Sequence, residues 1–573
     1  NVFMLMDTTI LEVAFHDNAD DTTVLKTPAG REWLARAAVQ GIVDHLAGFY
    51  ADSTVPAAYA PDAPATVQAL QTASGAVTVA WTLAATNAAS GDAPTGFRIY
   101  SSGDGKGFGN PVAVPGGGAR SQVITDMAAG TTLFFRVCAT NAGGESGDSP
   151  VAGVRIAAGG MRADVLVVDG FTRNDSTLAP TRHFTNGLDG QVTLVRPRMI
   201  NNRDVVREHG LALAAAGRSF DSMDAGNVTA AILTNYSKVV WALGEESTED
   251  ETFSSAEQAA VSNYLALGGR LLVSGAEIGW DLGRTNSSAA DRAFFSNSLH
   301  AAYAFDSGSN RFVTGTATGF LAGESLAFNY TNLLADGYAA EWPDVLGATP
   351  GAVTAAVYGA SASGANGAIL QYAGPSGRTI VMGFPFESIT NAATRATVMA
   401  AAMDYLDAGG GLPPGVEILT AGQTVAAGTA SIEIAGTNNA AVVGTMHWTN
   451  NLGGAGTFAA AAAWTTTVAL ASGTNVITVT GTNAAGTAAS DSVQIIRAFS
   501  PAATTALIDE PFDAAPTAPE HWAFTGIVEN YATATNSGRA VPSVKFDSDG
   551  DSAVTPVFSG GTNVQFWLRA HPT

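Results

Sequence analysis

The chain has 573 residues, 50 of them acidic against 27 basic, for a net charge of −23. Lys26, Lys106, Lys238 and Lys545 are its only lysines, so a phosphate backbone would be repelled and nucleic acid is not expected as a partner. Cys138 is the single cysteine, which excludes an intrachain disulfide, and no apolar run approaches the length of a transmembrane span.

The length predicts roughly four or five domains. An acidic, lysine-poor composition is compatible with a secreted protein, whose stability would then come from packing or bound ions. The chain starts at Asn1 with no initiator Met or signal-like segment, and Phe566–Thr573 reads as a strand cut short. The expectation is therefore a piece of a longer protein.

Residues 1–52 read as an apolar strand, a polar turn and one amphipathic helix. The strand Ile10-Leu11-Glu12-Val13-Ala14-Phe15-His16-Asp17-Asn18 places one carboxylate in an apolar run. A buried carboxylate without a partner is costly, so such a Glu is usually retained for chemistry. The helix is predicted over Pro28–Phe49, with Thr27 as its cap and Pro28 in its first turn. Trp33, Leu34, Ala37, Ala38, Ile42, Val43 and Leu46 form an apolar face that is expected to cover a sheet.

Leu11, Glu12, Phe15 and Asn18, followed by Asp20, Asp21 and the helix, resemble the C-terminal end of zinc-dependent N-acetylmuramoyl-L-alanine amidases. The resemblance covers under a tenth of the chain. It implies that Glu12 is the catalytic carboxylate, facing a zinc-bound water, and that peptidoglycan or another cell-surface polysaccharide is the partner. His16 departs from the family, which often has a small or apolar residue there. The family's zinc ligands lie upstream of this strand, and no His-Glu-x-x-His or Cys-x-x-Cys spacing occurs in the chain. Zinc would therefore be held by ligands outside it. The implied whole is a secreted modular bacterial cell-wall hydrolase, located outside the cell or in its envelope. The alternative is a non-catalytic extracellular adhesive or carbohydrate-binding scaffold.

Residues 53–64 form a Pro/Ala linker. Across 65–157, the strands Val77–Trp81, Gly96–Tyr100 and Leu133–Ala139 with the turn Asn141-Ala142-Gly143-Gly144 resemble a fibronectin type III domain. The resemblance makes Trp81 its core Trp and puts Leu133 where that fold usually has a corner tyrosine.

Strand–helix alternation over 162–408 predicts a parallel sheet covered on both faces. Its strands are Val165–Asp169, Val239–Gly244, Arg270–Gly275 and Thr379–Phe384, with helices at Ser255–Leu267 and Asn391–Leu406. This order and the Gly268–Gly275 junction resemble a class I glutamine-amidotransferase-like, flavodoxin-type domain. That family places a nucleophilic Cys at the elbow where this chain has Ser274-Gly275-Ala276-Glu277. Ser274 also lacks Gly-x-Ser-x-Gly flanks, and sequence does not pair it with His183, His209 or His300. The fold is thus expected without the family's chemistry. Asp169, Glu245, Glu246, Glu277, Trp280, Asp281 and Glu387 follow strands and would line a crevice, the plainer reading being solvated loop acids and a packing Trp.

Residues 414–498, with Trp448, Trp464 and Asn475–Thr480, resemble bacterial immunoglobulin-like modules. Residues 505–573 resemble the opening of a β jelly-roll. Asp547-Ser548-Asp549-Gly550-Asp551 has the oxygen density of a calcium loop but no later bidentate Glu, and reads as a polar hairpin turn. The predicted fold class is multidomain, α/β plus all-β.

Overall fold

A computed structural model describes residues 10–49, 54–87, 90–158, 162–186, 190–196, 200–306, 311–329, 337–374, 377–408, 414–439, 441–483, 486–499, 512, 517–528, 530–531, 543–546 and 549–555. The protein is β-rich and multidomain with some helices, and it divides into two compact units, residues 1–425 with 429–497, and residues 426–428 with 498–573.

In the first unit, Asn18 caps a helix where the sequence predicts a polar turn. Its Oδ1 accepts from Asp20 N and Asp21 N at 2.9 and 3.1 Å, opening α1 (Ala19–Lys26). Next comes α2 (Pro28–Val43), which widens into a π-helical turn over Asp44–Phe49. The strand expected at Ile10–Asn18 is not seen, since Ile10–Phe15 has no ladder partner among the described residues. Among the described residues no sheet covers the apolar face of α2, and Trp33 and Ile42 are 60% and 52% exposed.

Strands β1 (Pro64–Ala73), β2 (Ala76–Leu83), β3 (Gly96–Ser102), β4 (Val112–Pro115), β5 (Ser121–Ile124), β6 (Thr132–Asn141), β7 (Gly144–Glu145) and β8 (Ala152–Arg155) build a sandwich. One layer pairs β1–β2–β5; the other pairs β4–β3–β6, with β7 and β8 on β6. Between them Trp81 is buried with Phe97, Ile99, Phe135 and Val137, the two rings 5.0 Å apart. The arrangement is fibronectin type III-like.

The parallel sheet follows, with β9 (Val165–Asp169) first. After the hairpin of β10 (Thr181–Asn186) and β11 (Gly190–Val195) come α3 (Val205–Ala215) and β12 (Phe220–Asp224). Then α4 (Ala230–Leu233) leads to β13 (Lys238–Gly244), α5 (Ser255–Ala266) to β14 (Arg270–Gly275), and α6 (Ile278–Gly283) to α7 (Ala289–Asn297). An antiparallel extension of β15 (Ala301–Phe305), β16 (Phe312–Gly315), β17 (Ser325–Ala327), β18 (Val345–Ala348), β19 (Ala352–Tyr358) and β20 (Gly367–Gly374) leads back to β21 (Gly377–Met382) and α8 (Ala392–Asp407).

Parallel pairing runs β12–β9–β13–β14–β21. Successive strand residues bury into opposite layers, as a sheet covered on both faces requires. Val165, Val167, Val240 and Leu272 pack with residues of α3 and α8, while Leu166, Val168, Trp241 and Val273 pack with residues of α5 and α6. At the opposite strand ends, buried Lys238 pairs with Asp164 and Asp407 at 2.9 and 2.6 Å, tying α8 to the sheet.

Strand β12 joins this sheet to the sandwich, pairing with β1 through Ser222↔Ala69 and with β8 through Phe220↔Arg155. Asp221 accepts from Gln71 N at 2.9 Å and Tyr236 OH at 2.8 Å, and Ser222 Oγ accepts from Gly153 N at 2.6 Å.

A further pair of sheets contains β22 (Val416–Ile418), β23 (Gln423–Val425), β24 (Ser431–Asn438), β25 (Thr445–Asn450), β26 (Ala455–Ala459), β27 (Ala463–Ala469), β28 (Gly473–Thr482) and β29 (Ala488–Arg497). One sheet is β22–β24–β27, the other β23–β29–β28–β25–β26, enclosing Ile434, Trp448, Trp464, Ile477 and Ile495. Fully buried Asn475 donates to Ala471 O, Gly473 O and Ile495 O, and accepts from Asn450 Nδ2 and Ala471 N, at 2.8–3.2 Å.

The second unit shows two short pairings. Ala523–Thr525 pairs with Ser552–Val554, and Asn530–Tyr531 with Ser543–Val544. Asp547, Ser548 and the Phe566–Thr573 segment lie outside the described residues.

Two stability outcomes follow from the buried polar joints. Asp221→Ala strands the Gln71 N–H and the Tyr236 hydroxyl, and is expected to cost about 2–4 kcal/mol in urea unfolding. Asn475→Ala leaves several buried backbone groups unpaired, and is expected to lower stability by about 3 kcal/mol. A change below about 0.5 kcal/mol in either variant would mean that the joint is not buried as described.

Candidate functional site: a cleft at the carboxyl ends of the parallel strands

Open parallel sheets bind ligands outside the carboxyl ends of their strands, where the strand order reverses. That point lies between β9 and β13, because β12 returns to the far side of β9. A cleft of about 370 Å³ opens beside it. Its floor is made by Asp169, Phe171 and Arg173 at the end of β9 and Asp224 at the end of β12, with Asn201 and Arg203 ahead of α3. Trp33 and Arg36 of α2 line it too, with Asp62 from the segment before the sandwich and Asn87 from the loop after β2.

Buried acids hold the floor in place. Glu246 accepts from Thr172 N, Thr172 Oγ1 and Arg173 N at 2.7, 2.6 and 2.9 Å. Glu245 accepts from Glu341 N, and its own carbonyl accepts from Arg173 Nη1 at 3.0 Å. Asn201 Nδ2 donates to Phe171 O at 3.0 Å and Arg173 O at 3.2 Å, while its Oδ1 accepts from Arg203 N at 2.8 Å. Arg203 has φ 61°, an uncommon value for a side-chain-bearing residue. The sandwich fixes it there, because Val151 N donates to Arg203 O at 2.8 Å and Arg203 Nη1 donates to Asp148 O at 3.1 Å.

Asp169 and Asp224 are register partners at the ends of adjacent parallel strands, which puts their carboxyls on one face. Each uses one oxygen locally: Asp169 Oδ1 accepts from Phe171 N at 3.1 Å, and Asp224 Oδ1 from Gly226 N at 3.0 Å. Burial first, and then the charge of Asp224, push Asp169 up to about 8. Burial likewise raises Asp224. Glu246, Glu277 and Glu387 are pushed up to about 7, in each case chiefly by burial.

The residues singled out in the sequence are distributed differently. Glu12 and His16 are exposed, and Glu12 is not in the cleft lining. Among the described residues no group of three or more His, Cys, Asp or Glu is placed to hold a metal ion.

Ser274 does meet one histidine. His209 Nε2 lies 3.4 Å from Ser274 Oγ, and its Nδ1 is 2.9 Å from Val205 O. Both residues are fully buried, the imidazole lies 4.8 Å from the Phe386 ring, and burial lowers His209 to about 4. A neutral, enclosed imidazole backed by a carbonyl forms a packed polar pair, closed to substrate. His300 instead stacks on Tyr372 at 3.4 Å, and the side chain of His183 lies outside the described residues.

Solvated loop acids were expected after the strands, yet Glu245 and Glu246 are only 4% and 1% exposed. Asp281 is also engaged, accepting from Thr252 N at 2.9 Å and Thr252 Oγ1 at 2.7 Å. Trp280 is half-buried beneath Arg284, whose guanidinium sits 4.5 Å from the ring centre. Of the seven residues expected in a crevice, Asp169 lines this cleft. Sequence reasoning missed Asp224, Arg203 and Trp33. The sequence places Trp33 on a helix face expected to be covered, and nothing local marks Asp224 as a neighbour of Asp169.

These features define a β-rich multidomain protein that joins a fibronectin type III-like sandwich to a parallel sheet with a cleft at its strand ends. No family model and no curated protein matches the chain. Among solved structures it is similar to the β-galactosidase from Rahnella sp. R3, 15% identical over 55% of this chain and 42% of that one, with a TM-score of 0.28. The β-galactosidase from Bacillus circulans sp. alkalophilus is 14% identical over 54% and 42%, with a TM-score of 0.28. This chain thus spans well under half the length of either galactosidase. The sixth fibronectin type III domain of human fibronectin type III domain containing protein 3 is 22% identical over 17% of this chain and 86% of its own, with a TM-score of 0.15. Among the described residues no helix is long and apolar enough to cross a membrane.

The raised carboxyls give the stability an acid-side optimum. Asp169 titrates at about 8 and Asp221, Glu246, Glu277 and Glu387 at about 7, each raised chiefly by burial. Unfolded carboxyls titrate near 4, so between about pH 4 and 8 the folded chain holds protons that the unfolded chain has released. Their contribution is complete below about pH 4 and is lost as pH rises through 7–8. Asp407 acts in the opposite sense: burial raises it, but Lys238 and Arg218 outweigh this and hold it low, so its contribution fades in stronger acid. The thermal midpoint is expected to be higher at pH 5 than at pH 8 by calorimetry. Equal midpoints would contradict burial of these acids.

Proposed function

We propose that this chain is the polymer-engaging part of a secreted, modular bacterial cell-wall hydrolase of the N-acetylmuramoyl-L-alanine amidase type. In this reading residues 1–52 are the tail of the amidase domain, and zinc is held by ligands outside this chain. The parallel-sheet domain is amidotransferase-like and non-catalytic, residues 414–498 are an immunoglobulin-like spacer, and residues 505–573 open a jelly-roll. Peptidoglycan or another envelope polysaccharide is the partner, outside the cell or in its envelope.

The observation that carries this reading is the cleft wall formed by α2. The helix that would close the amidase domain shares one surface with the sandwich and the parallel-strand ends. A polymer lying there would be held beside the catalytic domain. The exposure of Glu12 favours a second reading, a non-catalytic extracellular adhesive or carbohydrate-binding scaffold.

The two separate in one assay on a protein carrying this chain with its zinc-binding domain. Zinc-dependent release of free stem peptides from peptidoglycan, reduced by about 100-fold or more in Glu12→Gln, is the expected result. Retention on sacculi without cleavage would replace the hydrolase with the scaffold.

A further inference from the structure

We propose that the cleft between α2 and the carboxyl ends of β9 and β12 is a saccharide site that takes a short, uncharged, hydroxyl-rich stretch of glycan. The inference rests on the polymer-engaging reading above and adds the site and the ligand chemistry.

Three observations point the same way. First, the cleft combines planar hydrogen-bonding groups with aromatic surface. Asp169 and Asp224 each keep one carboxyl oxygen outside the local hydrogen bonds described, and both line the cleft. Adjacent sugar hydroxyls donate to carboxyl oxygens. Trp33, 60% exposed at the cleft although it is a large apolar ring, offers a face for the C–H side of a sugar.

Second, the charges argue against an anionic ligand. Arg36 is paired with Glu32 at 3.3 Å and with Asp62, which leaves that wall one net negative charge. On the floor, Arg173 is paired with Asp175 at 2.8 Å, and burial favours the neutral form of Asp169. Third, a volume of about 370 Å³ suits a small ligand, and the floor is rigid through Glu246, Asn201 and the constrained Arg203 backbone. A preformed site loses little to ordering on binding.

The test is calorimetric titration of the full chain with the trimer of N-acetylglucosamine, with cellotriose and with maltotriose. Wild-type chain is expected to saturate with at least one of them. Asp169→Asn and Trp33→Ala are each expected to weaken it about tenfold or more, roughly 1.4 kcal/mol. Trp342→Ala, which alters an exposed Trp outside the cleft lining, serves as the control and should leave binding unchanged. Asp169→Asn is isosteric and Trp33 is exposed, and unaltered thermal midpoints would show that the loss is local.

Variant-sensitive binding of the N-acetylglucosamine trimer supports both the cleft and the cell-wall reading. Variant-sensitive binding of a glucan trimer alone supports the cleft and removes the cell-wall polymer. No saturation by any of the three up to about 10 mM, or binding that both variants leave intact, would overturn the saccharide site.

Discussion

The structure depends on what happens at the edge of the parallel sheet. Strand β12 is short and would present unpaired backbone groups to solvent, a hazard that proteins pair or cover. Here β1 and β8 of the sandwich pair with it, and the contact is reinforced by Asp221 and Ser222, which are fully buried. A buried carboxyl is tolerated because Gln71 N and Tyr236 OH donate to it. The joint costs desolvation and returns a defined geometry between sandwich and sheet.

That geometry makes the cleft. Because β12 is clamped at its start, the carboxyl end carrying Asp224 is fixed beside Asp169, and the sandwich segment 148–151 reaches Arg203. The acids around the loop after β9 work mainly as anchors. Glu246 collects three donors, and Asp344 accepts from Gly279 N at 2.6 Å and Trp280 N at 3.0 Å at the start of α6. Perturbed acids often mark functional sites, but anchoring acids are perturbed as well. What separates Asp169 and Asp224 from the anchors is that each has an oxygen left over at an open cleft.

The Ser274–His209 pair shows why proximity alone is weak evidence. The separation of 3.4 Å is close to that of a nucleophile and its base, yet both residues are fully buried. The hydroxyl and imidazole satisfy each other inside a covered sheet.

The sequence by itself determined the elements whose signal is local and apolar. Val165–Asp169, Lys238–Gly244 and Arg270–Gly275 are strands because both their faces are buried, which leaves near-continuous hydrophobic runs. Trp81 announced a sandwich core, and Pro28 a helix start. Phe220–Asp224 was not legible, because the Asp221 and Ser222 that join it to the sandwich make it look like a polar loop. The segment at Glu12 carries strand-like residues but has no ladder partner among the described residues, and a strand exists only by pairing. Only the tertiary structure decided which acids are anchors and which face the cleft. Side chains that meet there come from α2, β9, β12 and the segment before α3, far apart in the chain, and no spacing records a contact created by a sheet edge.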